Sequence, residues 1–480
     1  SEKARKKRNQ HPESYLWETE AGNEWARLLF FATIYHFGFE CGVGADKLSD
    51  YFKLIRMDTH IGSSPSTVLR QLQKMEGLLP EFQALCENQL ESTKRESVVA
   101  MDETFFGDFL ILVLMDLRSG YLILESVATN RCFDTWFTHV EPRLKDLGIH
   151  VNHAVTDRAK ALIKLAMTGF KCESGADIFH AQQDVVRWLG ASLGRRLSNA
   201  EKQLTAASEP EDIALAEQNI ASRKESKLQY HENLQGLSED LHPFSLLNNQ
   251  PQTEDKLLDK LEKRVCCFEG IAKQQAIPDA NDTAKKLRNQ IPPLAVNVTS
   301  WWLWVNETLQ ALKVYAILQT WVIDALLPVV YWHHQLHKTQ NRQLREKYQQ
   351  AWKSSSAVLR QHPLTDALSV CKLQHWLTWA EWMVQHFHRS SSAVEGRNGS
   401  LSKMYHNGRG ISESRLKALT VIHNYGLKRR DGTTAAQRFF EQDSPDLFSW
   451  ILDEMGELPL PRQARPKVTL DPLKLLGVPA

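Results

Sequence analysis

The sequence predicts an α/β fold, an α+β mixed sheet interrupted by a large all-α segment and preceded by helices. Three observations carry this. Short apolar runs at 98–102, 109–115 and 121–124 read as successive strands, and Asp116-Leu117-Arg118-Ser119-Gly120 makes the second and third a hairpin. Helix and strand then alternate: apolar spacing predicts a helix from Phe133 to Leu147, a strand from Ile149 to Thr156, and, after another helix, a short strand from Ala176 to Phe179. From Asp184 to about Ile277 the chain is charged and helical in period, read as a helical hairpin with a break at His242 to Gln252. Leu294 to Phe387, which holds nine of the fourteen tryptophans, reads as more helical bundle.

Helical spacing also covers Glu24 to about Phe39 and Ala45 to Ile55. A further helix is predicted to start at Ser64-Pro65, a cap followed by proline at the first helical position. The last two resemble a helix-turn-helix, with Arg70 able to reach DNA. The chain therefore divides into a helical N-terminal DNA-binding segment (1–95), a first part of the sheet core (96–190), a helical insertion (191–386), a second part of the core (387–440) and a tail (441–480).

Composition narrows the classes of function. With 480 residues, 42% hydrophobic and 24% charged, the chain is that of an ordinary multidomain globular protein. Lys and Arg total 58 against 57 acids, so the net charge of +1 is silent about polyanions, and local charge must decide. Between His386 and Phe440 there are ten Lys and Arg against three acids, which marks where a polyanion would bind. The apolar stretch around Trp321 to Trp332 contains Asp324 and Pro328 and is too short to span a bilayer. The opening SEKARKKRNQ is unlike a secretory signal, so a cytoplasmic, nucleoid-associated location without membrane contact is expected. Seven cysteines without a CxxC pair predict buried thiols, and His333 with His337 lacks a third zinc ligand at suitable spacing.

Three strands followed by alternating helix and strand is the order of a ribonuclease H-like core, in which the ends of the first and fourth strands lie side by side. That order brings together Asp102, placed at the end of the first strand, and Asp157, at the end of the fourth. Glu395 opens a late helix after Ser390-Ser391-Ser392, residues suited to capping it. Three carboxylates converging from separate elements suit a pair of hard divalent ions, Mg²⁺ or Mn²⁺, beside a phosphodiester. Glu103 competes with Asp102, but strand alternation puts adjacent side chains on opposite faces, so only one is expected to point at the metals.

The segments MDETFFG, VTDRAKAL and SSSAVEGRNGSLS resemble the three acidic blocks of DDE-type cut-and-paste DNA transposases. Asp177-Ile178-Phe179-His180 is similar to the Cys or Asp, two residues, then His string of the branch that includes hAT-like transposases. The 238 positions from Asp157 to Glu395 match that branch's large helical insertion. The resemblance, which spans roughly 100 to 440, implies a catalytic and metal-binding set of Asp102, Asp157 and Glu395 with two Mg²⁺ or Mn²⁺ ions. It also implies a catalytic role for His180, which would orient the scissile phosphate or protonate a leaving oxygen, while Asp177 either fixes its tautomer or merely ends the strand. The implied activity is cleavage of transposon ends and their joining to target DNA by a homodimer or higher oligomer on double-stranded DNA.

Candidate DNA contacts are Arg158, Lys160, Arg397, Asn398, Lys403, Arg409, Lys428, Arg429, Arg430 and Arg70. Trp301 and Trp302 of the WWLW cluster are candidate stacking platforms for an unpaired base. Two other readings share these residues: a ribonuclease H-like nuclease or resolvase, and a non-catalytic DNA-binding protein derived from a transposase.

Overall fold

The computed structural model describes residues 15–17 and 19–461, so the basic run at 3–8 and the proline-rich end beyond 461 lie outside the described residues. Helix α1 (Glu20–Thr33) starts at Thr19, whose hydroxyl accepts from the Gly22 N–H, and continues through a π-wound turn, Ile34–Glu40. Then come α2 (Ala45–Leu54) and α3 (Pro65–Asn88). The start of α3 is legible to the residue. Ser64 Oγ accepts from the Thr67 N–H at 3.3 Å, and Pro65 takes a position where no N–H is needed. Replacing Ser64 with Ala should cost about 1 kcal/mol, read as a lower urea midpoint with unchanged slope.

The sheet follows: β1 (Arg95–Phe106), β2 (Phe109–Asp116) and β3 (Leu122–Ala128), helix α4 (Phe133–Asp146), then β4 (Ile149–Thr156) and β5 (Glu173–Ala176). The strand order is β3-β2-β1-β4-β5, antiparallel on the β1–β3 side and parallel through β1, β4 and β5. Such a mixed sheet joins a hairpin meander to crossover units. β2 is buried from Leu110 to Asp116, as expected of a strand covered on both faces.

Two strand boundaries differ from expectation. β1 continues to Phe106 because its hairpin with β2 runs on (Asp102↔Val113 to Phe106↔Phe109), so Asp102 lies within the strand. What stops near Asp102 is the parallel pairing with β4, whose last partners are Ala100 and Val155. β5 ends at Ala176 instead of Phe179. The Asp177 carboxylate accepts from the Phe179 N–H and caps helix α5 (Ile178–Val185), turning the chain out of the sheet.

A π-wound turn, Val186–Gly190, carries α5 into α6 (Ala191–Ala206), followed by α7 (Pro210–Asp240), α8 (Glu254–Gln274) and α9 (Ala280–Ala311). The stretch 184–277 thus holds three helices where a single hairpin was expected, the extra break falling just before Pro210. One apolar core joins α5 to these helices through Val185, Leu189, Leu237, Leu261, Phe268 and Leu294. A second, tryptophan-rich core gathers α9, α10 (Leu327–Lys338), α11 (Arg342–Gln361) and α12 (Val370–Gln385) around Trp301, Trp321, Trp332 and Trp376. α9 also seats against the sheet. Asn297 bonds the His153 ring on β4 at 2.9 Å and donates to the Ala176 carbonyl at 2.8 Å. A Cβ at Gly175 would stand 2.0 Å from the Asn297 amide oxygen, so only glycine permits this approach.

The chain ends with α13 (Ser392–Met404), α14 (Glu413–Val421) and α15 (Leu447–Met455). It divides into two compact units. One takes 91–402 and 438–441, hence the sheet, the insertion and most of α13. The other takes the N-terminal helices with 403–437 and the residues after 441. In the latter, Arg415 on α14 donates to Gly38 O, pairs with Glu76 at 3.3 Å and lies over the Phe39 ring, while Phe82 packs against Tyr425 and Trp450. Among the described residues no helix is long and apolar enough to cross a membrane.

Candidate functional site

Extending the β1–β4 register by two residues past Ala100↔Val155 sets Asp102 opposite Asp157. Carboxylate oxygens of Asp102, Glu103 and Asp157 all lie within 4.8 Å of one another. The turn after β4 fixes Asp157: its Oδ1 accepts from the Ala159 N–H at 2.8 Å, and Arg158 between them takes a left-handed φ of 72°. A non-glycine residue holds that conformation only where its surroundings enforce it. Here the Arg158 guanidinium is tied to the Ser174 carbonyl at 2.8 Å.

Asp102, Val113 and Glu125 form one cross-strand row and therefore share a face of the sheet. α13 lies on that face. Arg397 makes a bidentate pair with Glu125 at 2.8 and 2.7 Å, both groups buried, and the Asn398 amide donates to Asp102 Oδ2 at 2.7 Å. One turn earlier Glu395 stands beside His180, its Oε1 3.5 Å from Nε2. The start of α13 is fastened to the start of α5. Ser391 Oγ donates to Asp177 Oδ2 at 2.6 Å, the Ile178 N–H donates to the Arg389 carbonyl, and His180 Nδ1 donates to Asp177 at 2.8 Å. Arg389 in turn donates to the carbonyls of Ser238 and Leu241 at the end of α7, so the helical insertion braces the segment that carries Glu395.

These contacts set the charge states. Burial pushes Asp102 up to about 7, with the Glu395 charge next in weight, the Glu103 N–H opposing, and Asp157 and Glu103 adding. Burial also raises Glu103, against the hydrogen bond from the Trp136 indole. His180 is raised to about 8, first by its bond to Asp177, with desolvation opposing and the charges of Asp177, Glu395 and Asp102 adding. Burial pushes Asp177 upward, but donors from His180, Ser391 and Phe179 overcome it and hold the carboxyl below its ordinary value. A buried acid that retains a proton near neutrality, first because burial disfavours its charge and then because other acids stand beside it, is a site short of positive charge. The oxygen-only donor set fits a hard divalent cation such as Mg²⁺ or Mn²⁺.

Asp102, Asp157, Glu395 and His180 therefore meet at one place. Glu395 is outside the close trio and is tied to it by its effect on Asp102 and by His180. Glu103, set aside on strand alternation, is in the trio. Alternation holds for its backbone, since its side chain goes to Trp136 on α4 on the opposite face, but its longer side chain still brings a carboxylate oxygen back to Asp157.

Several expected DNA contacts are otherwise engaged. Arg397 and Asn398 are buried against Glu125 and Asp102, because the phosphate-donor spacing that singled them out on α13 also matches the acids of the sheet beneath. Arg158 serves the β5 backbone. Trp301, 3% exposed, lies with Val305 and Leu309 on the buried stripe of α9 and donates to the Met383 carbonyl. Trp302 packs edge-on against Phe244 and donates to Pro243. Burial closes the Trp301 indole to base stacking, whereas Trp302 is half-buried. Lys160, Arg70, Lys403, Lys428, Arg429 and Arg430 are exposed, and the Arg409 side chain lies outside the described residues.

A family of unknown function, DUF6399, has a model that matches residues 322–467. That stretch includes α10–α15, and so Glu395, Arg397 and Asn398, whereas Asp102 and Asp157 precede it. No curated protein matches the chain.

Proposed function

We propose that this protein is a DDE-type DNA transposase with a ribonuclease H-like core, cleaving transposon ends and joining them to target DNA. The observation that carries the reading is the meeting of Asp102 and Asp157 across β1 and β4 with Glu395, delivered by α13 after a long helical insertion. The strand order β3-β2-β1-β4-β5 supports it as well.

Asp102, Asp157 and Glu395 would hold two Mg²⁺ or Mn²⁺ ions, which when bound supply Lewis-acid stabilisation of the attacking and leaving oxygens. The chain's own part is positional. Arg397–Glu125 and Asn398–Asp102 hold α13 on the sheet, while Ser391 and Arg389 fix its start. His180, cationic at neutral pH and oriented by Asp177, faces Glu395 and offers a proton at Nε2. In cleavage, water adds to phosphorus and gives up a proton to solvent, the P–O3′ bond breaks, and the departing O3′ takes up the His180 proton, which solvent then restores. In joining, the freed 3′ hydroxyl attacks a target phosphodiester in line and the target's own P–O3′ bond breaks. The exposed cations Lys160, Arg70, Lys403, Lys428, Arg429 and Arg430 are proposed to meet DNA phosphates, so binding weakens steeply with salt. Paired cleavage of two ends calls for a dimer or larger assembly near the nucleoid.

The test is a joining assay. The purified protein, Mn²⁺ and oligonucleotides covering the DNA that flanks the gene on each side are incubated with supercoiled plasmid. Plasmid bearing covalently joined oligonucleotide is the expected product. Cutting without joining replaces this reading with a nuclease. DNA binding indifferent to EDTA and to Asp157→Asn, with no cutting, replaces it with a non-catalytic DNA-binding protein.

A further inference from the structure

We propose that Glu103 and the Asn398 amide oxygen complete a cation site with Asp102 and Asp157, so that one divalent ion is held by these four residues without Glu395. The proposal rests on the transposase reading only for the class of ion, a hard, oxygen-seeking one.

Oxygens bound at about 2.1 Å to one octahedral Mg²⁺ stand roughly 3.0 to 4.2 Å apart. The oxygens of Asp102, Glu103 and Asp157, within 4.8 Å of one another, are already near that spacing. Glu103 is poorly compensated where it lies. It is 8% exposed, Oε1 takes one neutral donor from Trp136 at 3.2 Å, and the nearest ion pair, Arg131 to Oε2, is at 4.0 Å. A carboxylate so enclosed needs more positive charge than one indole and a distant guanidinium supply.

The independent observation is on α13. Asn398 is 8% exposed and its Nδ2 is committed to Asp102 Oδ2, while its Oδ1 is buried with no hydrogen-bond partner among the described residues. A buried acceptor left unmatched beside a carboxylate cluster calls for a cation or a cation's water. With four oxygens on this side, Glu395 is left to face His180 and the second ion.

The experiment is calorimetric titration of the full-length protein with Mn²⁺ alone, without DNA. Wild type should bind, Glu103→Gln should weaken binding at least tenfold, and Glu395→Gln should change it less than threefold. Glu103→Gln keeps both the shape and the acceptor for Trp136. Glu103→Asp, too short to bring its carboxylate back to Asp157, should be about as weak as Glu103→Gln, and an unchanged urea midpoint in both tells a lost ligand from a folding defect. Asn398→Ala should weaken Mn²⁺ binding, whereas Asn398→Asp, which puts a carboxylate oxygen where Oδ1 stands, should bind at least as tightly as wild type. If the asparagine only donates to Asp102, the aspartate variant will be as weak as the alanine one, and its role as a ligand is overturned. Wild-type affinity in Glu103→Gln, or no Mn²⁺ binding by wild type, overturns the whole site. Mn²⁺ binding as described in a protein that neither cuts nor joins DNA would sink the transposase reading and leave this inference standing.

Discussion

Asp102→Asn, Asp157→Asn and Glu395→Gln should each lower strand cleavage by about 10³-fold or more while leaving the affinity for end DNA within about threefold. The expected size follows from the task given to these groups. Stabilising charge on attacking and leaving oxygens is worth several kcal/mol, and each ~1.4 kcal/mol is tenfold in rate. Affinity is expected to survive because it comes from cations spread over the surface, whereas these acids repel phosphate when no ion shields them. The losses should also be non-additive. Asp102 and Asp157 serve one cluster, so the double variant should be hardly slower than either single one. A gel assay on an uncut end duplex, with binding measured in parallel in EDTA, separates the two quantities. Cleavage reduced less than tenfold in Asp157→Asn would remove the reason for placing the chemistry at this site.

How much of this was readable beforehand depends on which interactions are local. Ser64-Pro65, the apolar spacing of the helix before Ile149 and the apolar runs of β1 to β4 announce themselves within a few residues, and the elements form where those signals lie. The pairing of Asp102 with Asp157 follows from strand order, which the alternation of elements also encodes. The contacts around α13 were different in kind. Arg397 carries the same signal whether it meets a phosphate or Glu125, 272 positions away, and only the packed structure distinguishes them. One clue was present: Glu125 is the one acid within the largely apolar LILESVA strand, and such a residue needs a partner. Trp301 fell to a similar ambiguity, since a tryptophan that fills a core and one that stacks a base look alike until its helix face is known. Glu103 shows the limit of the alternation rule, which fixes where Cβ points but not where a longer side chain brings its oxygens.

Asp102→Asn should make the cation-free protein more stable at pH 8, and the gain should fade as the pH drops toward 4. The wild-type carboxyl titrates near 7 in the fold because burial and the Glu395 charge disfavour its ionised form, against about 3.9 in an unfolded chain. Between those values the folded protein binds the extra proton, so wild-type stability declines as pH rises through the window and is lowest, as far as this group is concerned, above pH 7. Asparagine carries no charge to strain the cluster and keeps one acceptor oxygen, enough for either the Asn398 amide or the Glu103 N–H. The difference between about 3.9 and about 7 would correspond to roughly 4 kcal/mol if undiminished; with solvent reaching part of the side chain, a gain on the order of 1–2 kcal/mol at pH 8 is expected. Divalent cation should reverse the order. Mn²⁺ binds the folded wild type and raises its stability by RT ln(1 + [Mn²⁺]/Kd), about 2.7 kcal/mol at one hundred times Kd, and the variant has lost the ligand that would let it follow. Urea midpoints for both proteins at pH 4.5 and 8, with EDTA and with Mn²⁺, give the four comparisons. A crossing of wild type and variant on adding Mn²⁺ means that the destabilising acid and the cation ligand are the same residue. Parallel behaviour in all four conditions would mean that Asp102 is neither strained nor a ligand, and the charge argument for the site would fall with it.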